Sequence, residues 1–600
     1  MDTIEIRLLG SPQIERNGQN ITADLSEKAL ALLAYLVTRD REVSRLEIAG
    51  LLWEAMDETR ARANLRAALH NLRISLPDIL EVSRSSIALA IDHNFRLDLA
   101  ELQAALQRIG SEDFYSAFAA VVGVYRGDFL EGFYGNAGPE FEAWVLEARE
   151  HLRVLYLNGL ELFTERVITH GDWQKALQLT NQVLSIDPWS ESAHRRLMRL
   201  HARMGHCNRA LAQFETCRTV LDQELGIAPE AETWQLYEKI RSASYCPAHN
   251  LPAFPTAFIG REGELAILRE WLKKPGCRLI TITGLCGMGK TRLAVELGSR
   301  IANGQNRTFM HGVRYASMTE RRSGEAYPEV FARALGISIQ TGQQPADQLL
   351  NYLRSKEMLL IIDHVEPEAP EVRFLPEVLR AAPDVKVIII SPARTYLQGE
   401  WLFDLEGLSY PEHIPPVQDI NALRQYDALR FFLDCANRLN LPGFMKNAGG
   451  AIMEICRLTE GMPLALELAA AHLREMEPDQ IVQDINRNLD LLSARIIDLP
   501  ARHCSLRGLL ETAWQSLSAT TRKSLADLVQ VEGEFSQETA WALAGVAPEA
   551  LTALVDCSLV RMSSPHRYEL PRLVRCFLQQ KAGIHHELAL GPIGQKANFM

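Results

Sequence analysis

The segment that most constrains the fold is residues 279–297, where a strand, a glycine-rich turn and a helix follow one another directly. The β-branched run Leu279–Thr283 predicts a buried strand. The turn Gly284–Gly289 comes next, and Lys290 and Thr291 open an apolar helical pattern. This is the form G-x-x-x-x-G-K-[ST] in the strand–loop–helix context of a phosphate-binding loop. A chance glycine turn is the alternative, and the register of strand, loop, Lys and Thr disfavours it.

Each part of this motif contributes to phosphate binding. Glycines let backbone N–H groups turn inward around phosphate oxygens, and the helix N-terminus adds its positive dipole end. We expect Lys290 to reach the β- and γ-phosphates of a nucleotide and the Thr291 hydroxyl to ligate Mg²⁺.

Two further apolar runs predict strands of the same sheet. Met358–Asp363 ends in a carboxylate that we expect to bind Mg²⁺, the Walker B pattern. Val385–Ser391 leads to Arg394, a candidate sensor of the terminal phosphate. Strands that alternate with helices predict a parallel sheet with its ligand at the carboxyl ends of the strands.

Composition bounds the function class. A chain of 600 residues, 47% hydrophobic and 23% charged, is typical of a globular protein with several domains. The sequence predicts neither a membrane span nor a signal peptide, and its ten scattered cysteines are typical of reduced thiols, so we expect a cytoplasmic protein without a membrane partner. A net charge of −12 argues against indiscriminate binding to polyanions, so a nucleic-acid contact requires a local basic patch.

Residues 1–98 predict short strands, three helices and a hairpin. Residues 4–24 alternate as strands with a turn at Asn17–Gly18, and Ser26 and Ser44 are predicted helix caps. After a third helix at 57–76, the runs at 80–83 and 87–91 predict a wing-like hairpin. The candidate DNA-contacting residues of the third helix are Arg60, Arg62, Asn64, Arg66, His70 and Arg73.

This N-terminal part resembles the OmpR/PhoB-type winged helix–turn–helix used in SARP-like activators. The matching segments are Ile6–Gly10, Lys28–Leu36, Ser44-Arg45 with Leu51–Trp53, Arg60–Arg66 and Leu69–Arg73. In that family the third helix enters the major groove, where Arg can read guanine and Asn can read adenine. Which of the candidate arginines contact bases and which contact phosphates stays open at the level of the sequence. Residues 1–100 hold 12 Arg or Lys against 15 Asp or Glu, so a merely solvated basic face is the alternative. We expect specific double-stranded DNA binding because the basic residues concentrate on that helix.

Residues 99–243 predict helical repeats. Gly171, Ala176 and Leu177 recur as Gly205, Ala210 and Leu211, a spacing of 34 that is typical of tetratricopeptide (TPR) helix pairs. This part resembles the bacterial transcriptional activator domain of SARP-like proteins. The matching segments are Gly127–Leu130, Glu142–Trp144, Leu184–Trp189 with Glu191, and Leu225–Pro229. The resemblance implies homo-oligomerisation on activation and contact with RNA polymerase, and a passive spacer is the alternative.

The C-terminal part resembles the NB-ARC-type nucleotide switch of STAND ATPases. The predicted divisions are a linker at 244–255, a P-loop domain at 256–410, a helical subdomain at 411–504, a second winged helix at 505–580 and a tail at 581–600. The resemblance implies ATP or ADP with Mg²⁺ as ligands, with Thr291 and Asp363 holding the metal and Lys290 and Asp363 serving any hydrolysis. The residues implied to contact the nucleotide are Phe258, Ile259, Arg261, Gly284, Gly287, Met288, Gly289, Lys290, Thr291, Arg292, Arg394 and Pro463.

Three positions depart from the family pattern. His364 follows Asp363 where the family has a second acidic or amide residue, so at most a slow ATPase is expected. Arg394 lies three residues after Ser391, and Leu570-Pro571-Arg572 replaces a Met-His-Asp-like sensor.

The sequence therefore predicts a multidomain chain: a winged helix–turn–helix (α+β), all-α TPR-like repeats, and an α/β P-loop NTPase with helical and winged-helix subdomains. The predicted function is a transcription activator whose DNA binding is gated by ATP and ADP. The alternatives are a P-loop NTPase whose turnover is the main activity, and a DNA-binding scaffold with a vestigial nucleotide site.

Overall fold

The chain forms two compact units. The N-terminal unit comprises Met1–His201 and Asn208–Tyr237, and the C-terminal unit comprises Ala202–Cys207 and Glu238–Met600. A computed structural model describes residues 3–39, 41–77, 79–90, 95–111, 113–133, 138–244, 248–304, 308–322, 325–340, 342–367, 369–411, 425–439, 448–493 and 505–582. Most of the predicted tail, 583–600, lies outside these described residues.

Up to residue 244, short strands and three helices precede a long helical stretch. The strands are β1 Ile4–Arg7, β2 Gln13–Arg16, β3 Gln19–Asn20, β4 Val43–Ser44, β5 Leu80–Val82, β6 Ser86–Leu89 and β7 Phe95–Leu97. The helices are α1 Glu27–Val37, α2 Arg45–Leu52, α3 Glu58–Ser75, α4 Asp98–Leu106, α5 Phe114–Val121, α6 Pro139–Thr169, α7 Trp173–Ile186, α8 Glu191–Arg203, α9 Cys207–Leu225 and α10 Ala231–Ser244. The strands form one sheet in the order β3-β2-β1-β7 and a second in the order β4-β6-β5.

The predicted caps and helix pairs are confirmed. The side chain of Ser26 accepts the N–H of Ala29, and that of Ser44 accepts the N–H of Leu46. Helices α7 and α9 begin two residues after Gly171 and Gly205, whose positive φ angles of 83° and 81° suit a glycine at each turn.

Two strand boundaries differ from the alternation in the sequence, which predicts strands at Ile4–Leu9 and Asn20–Thr22. The first strand ends at Arg7 because the N–H groups of Leu8 and Leu9 both donate to Asp98 Oδ2, at 2.6 and 2.7 Å. The third strand ends at Asn20, because the Thr22 hydroxyl accepts the Ile14 N–H at 2.8 Å in place of a ladder partner.

A single hydrophobic core crosses the predicted boundary between residues 98 and 99. It runs from Ile6 in β1 to Leu200 in α8. Beyond β1 the backbone pairs with the segment before α6, with Leu130 N–H donating to Leu8 O at 2.9 Å and Gly10 N–H to Asp128 O at 3.0 Å. The strands and helices of 3–97 are thus fused to the helices that follow.

The C-terminal unit is built on a parallel sheet. Its strands are β8 Leu279–Thr283, β9 Val313–Ser317, β10 Met358–Asp363, β11 Val385–Ile390, β12 Glu400–Asp404, β13 Glu534–Phe535, β14 Arg561–Ser564 and β15 Arg567–Glu569. Its helices are α11 Glu262–Lys273, α12 Lys290–Ala302, α13 Tyr327–Ala334, α14 Pro345–Leu353, α15 Pro370–Ala381, α16 Asp427–Arg438, α17 Gly449–Leu458, α18 Pro463–Ala471, α19 Pro478–Arg487, α20 Leu506–Ser516, α21 Ala519–Asp527, α22 Gln537–Ala544, α23 Pro548–Asp556 and α24 Arg572–Lys581. The five strands β12-β8-β11-β10-β9 pair in parallel, and β13-β15-β14 form a small antiparallel sheet.

The strands predicted at 279–283, 358–363 and 385–391 are confirmed, the last ending at Ile390. They occupy the centre of the sheet, where strands are buried on both faces and read as continuous apolar runs. The flanking strands β9 and β12 were missed because Arg314, Tyr315, Glu400 and Asp404 break up their apolar character.

Part of the predicted linker is bonded to the sheet. Val313 N–H donates to Ala248 O at 2.9 Å, and the Asn250 side chain bonds both the N–H and the C=O of Tyr315, at 2.7 and 3.0 Å. Residues 248–250 therefore pair with the outer edge of β9, so this part of the predicted linker is attached to the sheet.

No helix within the described ranges is long and apolar enough to span a membrane.

Asp98 predicts a pH dependence of stability. Burial raises its pKa to about 6, although the N–H groups of Leu8, Leu9 and Leu99 oppose the rise. Because the unfolded carboxyl has a pKa of about 3.9, the folded chain holds the proton more tightly, and protonation of Asp98 stabilises the fold. This stabilisation is full below about pH 4. We expect the free energy of unfolding to fall by about 3 kcal/mol as the pH rises through 6.

Chemical denaturation between pH 4 and 7.5 tests this prediction. In Asp98→Asn this component of the pH dependence should vanish, whereas Asp113→Asn, an exposed position without a capping bond, should behave as the parent. Equal pH dependence in the parent and Asp98→Asn would contradict the prediction.

Candidate nucleotide site and DNA-binding surface

The phosphate-loop segment joins β8 to α12. Gly284, Gly287 and Gly289 have φ angles of 135°, 90° and 89°, a region that favours glycine. The Lys290 ammonium donates to Gly284 O at 2.6 Å and to Leu285 O at 3.2 Å, and its burial lowers the pKa of Lys290. The loop therefore has backbone angles that suit a bound phosphate, and the Lys290 ammonium lies against two of its carbonyl groups.

The carboxyl ends of β8 and β10 bring the two predicted metal ligands together. Thr291 Oγ1 donates to Asp363 Oδ2 at 3.0 Å, and the Tyr315 hydroxyl donates to the same oxygen at 2.7 Å. Burial alone would raise the pKa of Asp363, but bonds from His364, Tyr315 and Thr291 outweigh it and leave that pKa lowered. Asp363 is thus held as a buried carboxylate beside the hydroxyl that sequence analysis paired with it.

Tyr315 was not predicted as a site residue. Its hydroxyl contact with Asp363 raises the pKa of Tyr315, together with burial as the larger cause. No sequence signal marked it, because β9 itself was not predicted and its place beside β10 follows only from the sheet.

Arg261 joins three parts of the site. Its guanidinium donates to Glu406 O at 2.5 Å, Gly407 O at 3.2 Å and Met288 O at 3.4 Å, and it pairs with Glu264 at 2.7 Å. The residue is 5% exposed and has a φ of 67°, which is uncommon for a side-chain-bearing residue. Arg261 therefore ties the entry of α11 to the phosphate loop and to the end of β12.

The remaining predicted contacts lie around the loop. Arg292 donates to the hydroxyl and carbonyl of Thr256 and stacks on Phe254. Pro463 opens α18, and the next residue, Leu464, donates its N–H to Gly287 O at 3.3 Å. Phe258 and Ile259 are half-buried beside Arg261.

Arg394 is engaged away from the loop. Its guanidinium donates to Glu400 at 3.3 Å and its backbone N–H donates to Asp556 O at 3.3 Å. A role as sensor of the terminal phosphate stays a prediction.

Two carboxylates link the surroundings of the loop to segment 556–573. Asp404 Oδ1 accepts the hydroxyls of Thr283, just before the loop, and of Ser558, both at 3.1 Å. Glu460, three residues before Pro463, accepts the Leu573 N–H at the start of α24 at 3.2 Å. Sequence reasoning missed both, because neither belongs to a motif.

The polar residues of α3 lie at the surface. Arg60, Arg62, Arg66, His70 and Arg73 are exposed, and Asn64 is half-buried. The first two pair with acidic residues at the start of α3: Arg60 lies 3.4 Å from Asp57, the residue before the helix, and Arg62 lies 2.5 Å from Glu58.

An additional exposed arginine lies on the neighbouring hairpin. Arg84 occupies the turn between β5 and β6, a position that the sequence analysis left out. The hairpin pairs with β4 directly before α2.

Comparison with known proteins finds a family match within the N-terminal half. The model of the bacterial transcriptional activator domain matches residues 92–241. The regulatory protein AfsR of Streptomyces griseus is 24% identical over 641 residues, 98% of this chain and 62% of AfsR. This chain is a SARP/AfsR-like transcriptional regulator.

Two other proteins are similar to parts of the regulator. An uncharacterised protein of Mycobacterium tuberculosis is 29% identical over 301 residues, 49% of the regulator and 70% of that protein. A solved structure of Mycobacterium tuberculosis EmbR in complex with a low-affinity phosphopeptide covers 40% of the regulator and 66% of the EmbR chain, at 22% identity and a TM-score of 0.33.

The environment of Arg261 predicts that lysine cannot replace it. Lysine lacks the forked donors that reach three carbonyls, so buried acceptors would lose their partners. We expect Arg261→Lys to lower the free energy of unfolding of the C-terminal unit by about 2–3 kcal/mol. Thermal denaturation followed by tryptophan fluorescence measures this, with the exposed Arg430→Lys as the matched control. An unchanged midpoint in Arg261→Lys would contradict it.

Proposed function

We propose that this regulator binds specific double-stranded DNA through α3 and that ATP and ADP, bound with Mg²⁺ at the phosphate loop, control this binding. The observation that carries the nucleotide site is the 3.0 Å contact between Thr291 and the buried Asp363. A hydroxyl and a carboxylate side by side at the carboxyl ends of parallel strands form the donor set that Mg²⁺ takes with a nucleotide phosphate.

The residues present fit a nucleoside triphosphate. The left-handed glycines of 284–289 allow N–H groups to face phosphate oxygens, and α12 begins directly at Lys290. Lys290 now donates to two loop carbonyls, so it can exchange them for phosphate oxygens without a large change of position. Arg261 and Arg292 would hold the segment 256–261 beside the loop, where the base is expected.

The surroundings of Asp363 support slow ATP hydrolysis at most. His364 Nδ1 lies 3.2 Å from Asp363 Oδ2, so the residue after the carboxylate faces the expected metal ligand. In family members an acidic or amide side chain there orients water for attack, and an imidazole beside Asp363 does not supply a second carboxylate acceptor. Binding and exchange of nucleotide, with little hydrolysis, is the proposed cycle.

Asp404 and Glu460 supply the proposed coupling. Asp404 bonds Thr283 directly before the loop, and Glu460 lies three residues before Pro463. Both carboxylates also accept a hydrogen bond from segment 556–573.

Burial lowers the pKa of Lys290, and the nearby charges of Cys286, Asp363 and, least of the three, Asp404 oppose that effect. A bound polyanionic phosphate attracts the positive charge of Lys290 and so weakens the attraction between Lys290 and Asp404. We therefore expect nucleotide binding to alter the hydrogen bond between Asp404 and Ser558.

Removal of the loop lysine tests nucleotide binding. We expect Lys290→Ala to weaken ATP and ADP binding by roughly 10- to 100-fold, since a charge-assisted bond contributes about 1.5–3 kcal/mol. Titration with a fluorescent nucleotide measures this, with the exposed Lys523→Ala as control. Normal binding by Lys290→Ala would exclude the proposed site.

Removal of the Ser558 hydroxyl tests the coupling. We expect Ser558→Ala to bind DNA with a smaller difference between the ADP state and a non-hydrolysable ATP state than the parent shows. Binding to genomic fragments from around the regulator's own gene, at a fixed salt concentration, measures that difference. The control is Ser564→Ala, an exposed serine of β14 in the same subdomain. An undiminished nucleotide effect in Ser558→Ala would count against Asp404 as the link.

A further inference from the structure

The outermost line of α3 is largely apolar. Ala63, Ala67, His70 and Ile74 are exposed and recur at i, i+4, i+7 and i+11, which places them along one side of a helix with 3.6 residues per turn. This side is opposite the buried positions, which are Ala61, Leu65, Ala68, Leu69 and Leu72. Ile74 is 64% exposed, an unfavourable state in water for a side chain whose full burial gains roughly 1.5–3 kcal/mol.

The arginines follow a different line. Arg62, Arg66 and Arg73 recur at i, i+4 and i+11, and a rotation of 100° per residue places this line about 90° from the apolar one. Arg62 pairs with Glu58, while Arg66 and Arg73 extend from the surface with no acceptor among the described residues. This flank therefore carries three guanidinium groups, of which Arg66 and Arg73 are the two that lack an acceptor among the described residues.

The opposite flank is occupied by side chains with local partners. Arg60 lies near Asp57, and the Asn64 amide donates to Met56 Sδ at 3.1 Å. Asn71 accepts the Ser26 N–H and donates to Asp24 O, so it holds the start of α1. Asn71 therefore stabilises the N-terminal unit, and the side chains of Arg60 and Asn64 are each turned toward a local partner.

A helix in a major groove divides its surface in the same way. The groove is about 12 Å wide and a helix with side chains is about 10–12 Å across, so the side farthest from the core meets the base edges and the flanks meet the phosphates. Guanidinium groups on a flank bind phosphate oxygens and position the protein. Methyl groups on the outer side contact the C5-methyl group of thymine.

We propose that Ala63, Ala67 and Ile74 read thymine methyl groups, with His70 between them, and that Arg62, Arg66 and Arg73 bind the phosphates of one strand. This assignment rests on the proposed DNA binding by α3. It assigns the base and phosphate contacts that the sequence alone left open among the candidate residues of α3. The basic line complements the phosphate backbone in charge, and the exposed apolar line complements the thymine methyl groups on the groove floor.

Removal of single methyl groups from DNA tests the reading line. Full-length protein would first select its preferred duplexes from a random library. Each thymine of a selected site would then be replaced by deoxyuridine, which lacks only the C5-methyl group. For the parent, at least one replacement should weaken binding about fourfold, the effect of one buried methyl group. In Ile74→Ala the loss at one such position should disappear.

The arginine line is tested through salt dependence. Arg66→Ala and Arg73→Ala should each weaken binding to all sequences and reduce the slope of log affinity against log salt by about 1, with the selected sequence unchanged. Arg108→Ala, an exposed arginine after α4, is the matched control and should change neither quantity.

The outcomes separate this inference from the proposed function. Deoxyuridine replacements without effect, or a changed base preference in Arg66→Ala, would overturn the assignment while DNA binding stands. Salt-dependent binding with no preferred sequence would also overturn it. Absence of DNA binding in every nucleotide state would overturn both. Because Ile74 is exposed, Ile74→Ala is expected to fold, and its circular dichroism spectrum would verify this.

Discussion

The C-terminal unit depends on one buried carboxylate. Asp363 ends the β10 strand at the middle of the parallel sheet and takes hydrogen bonds from β9 through Tyr315 and from α12 through Thr291. A buried charge is tolerated only when it is paired or hydrogen-bonded, so these donors must stay close together. The Asp363 carboxylate in this way holds β9, β10 and the start of α12 together and places the two expected metal ligands side by side.

Around this carboxylate the unit uses charged side chains to connect segments that are far apart in sequence. Arg261 bonds the carbonyls of 288, 406 and 407, while Asp404 and Glu460 bond segment 556–573. Bonds of this kind have one good geometry and are lost together when a segment moves. They specify one arrangement of these segments more sharply than apolar packing alone would.

The sequence predicted the parts of this structure that have strong local signals. The central strands are continuous apolar runs, the phosphate loop has a fixed glycine spacing, and Ser26 and Ser44 stand directly before helical patterns. The edge strands β9 and β12 escaped prediction because their polar residues weaken the pattern. Tyr315, Asp404 and Glu460 could not be found, because their roles arise only from pairings between distant segments. The candidate residues of α3 were identified correctly as mostly exposed, but the line on which each lies follows from the observed burial of its neighbours.

The unbroken core of the N-terminal unit has a consequence for how two copies could share one operator. Because α3 belongs to the same packed body as helices α4 to α8, it cannot swivel on a tether to reach a half-site. The separation between two bound α3 helices would therefore be set by the surface at which two N-terminal units meet. Operators of such a protein would tolerate changes of base more readily than the insertion of a few base pairs between half-sites.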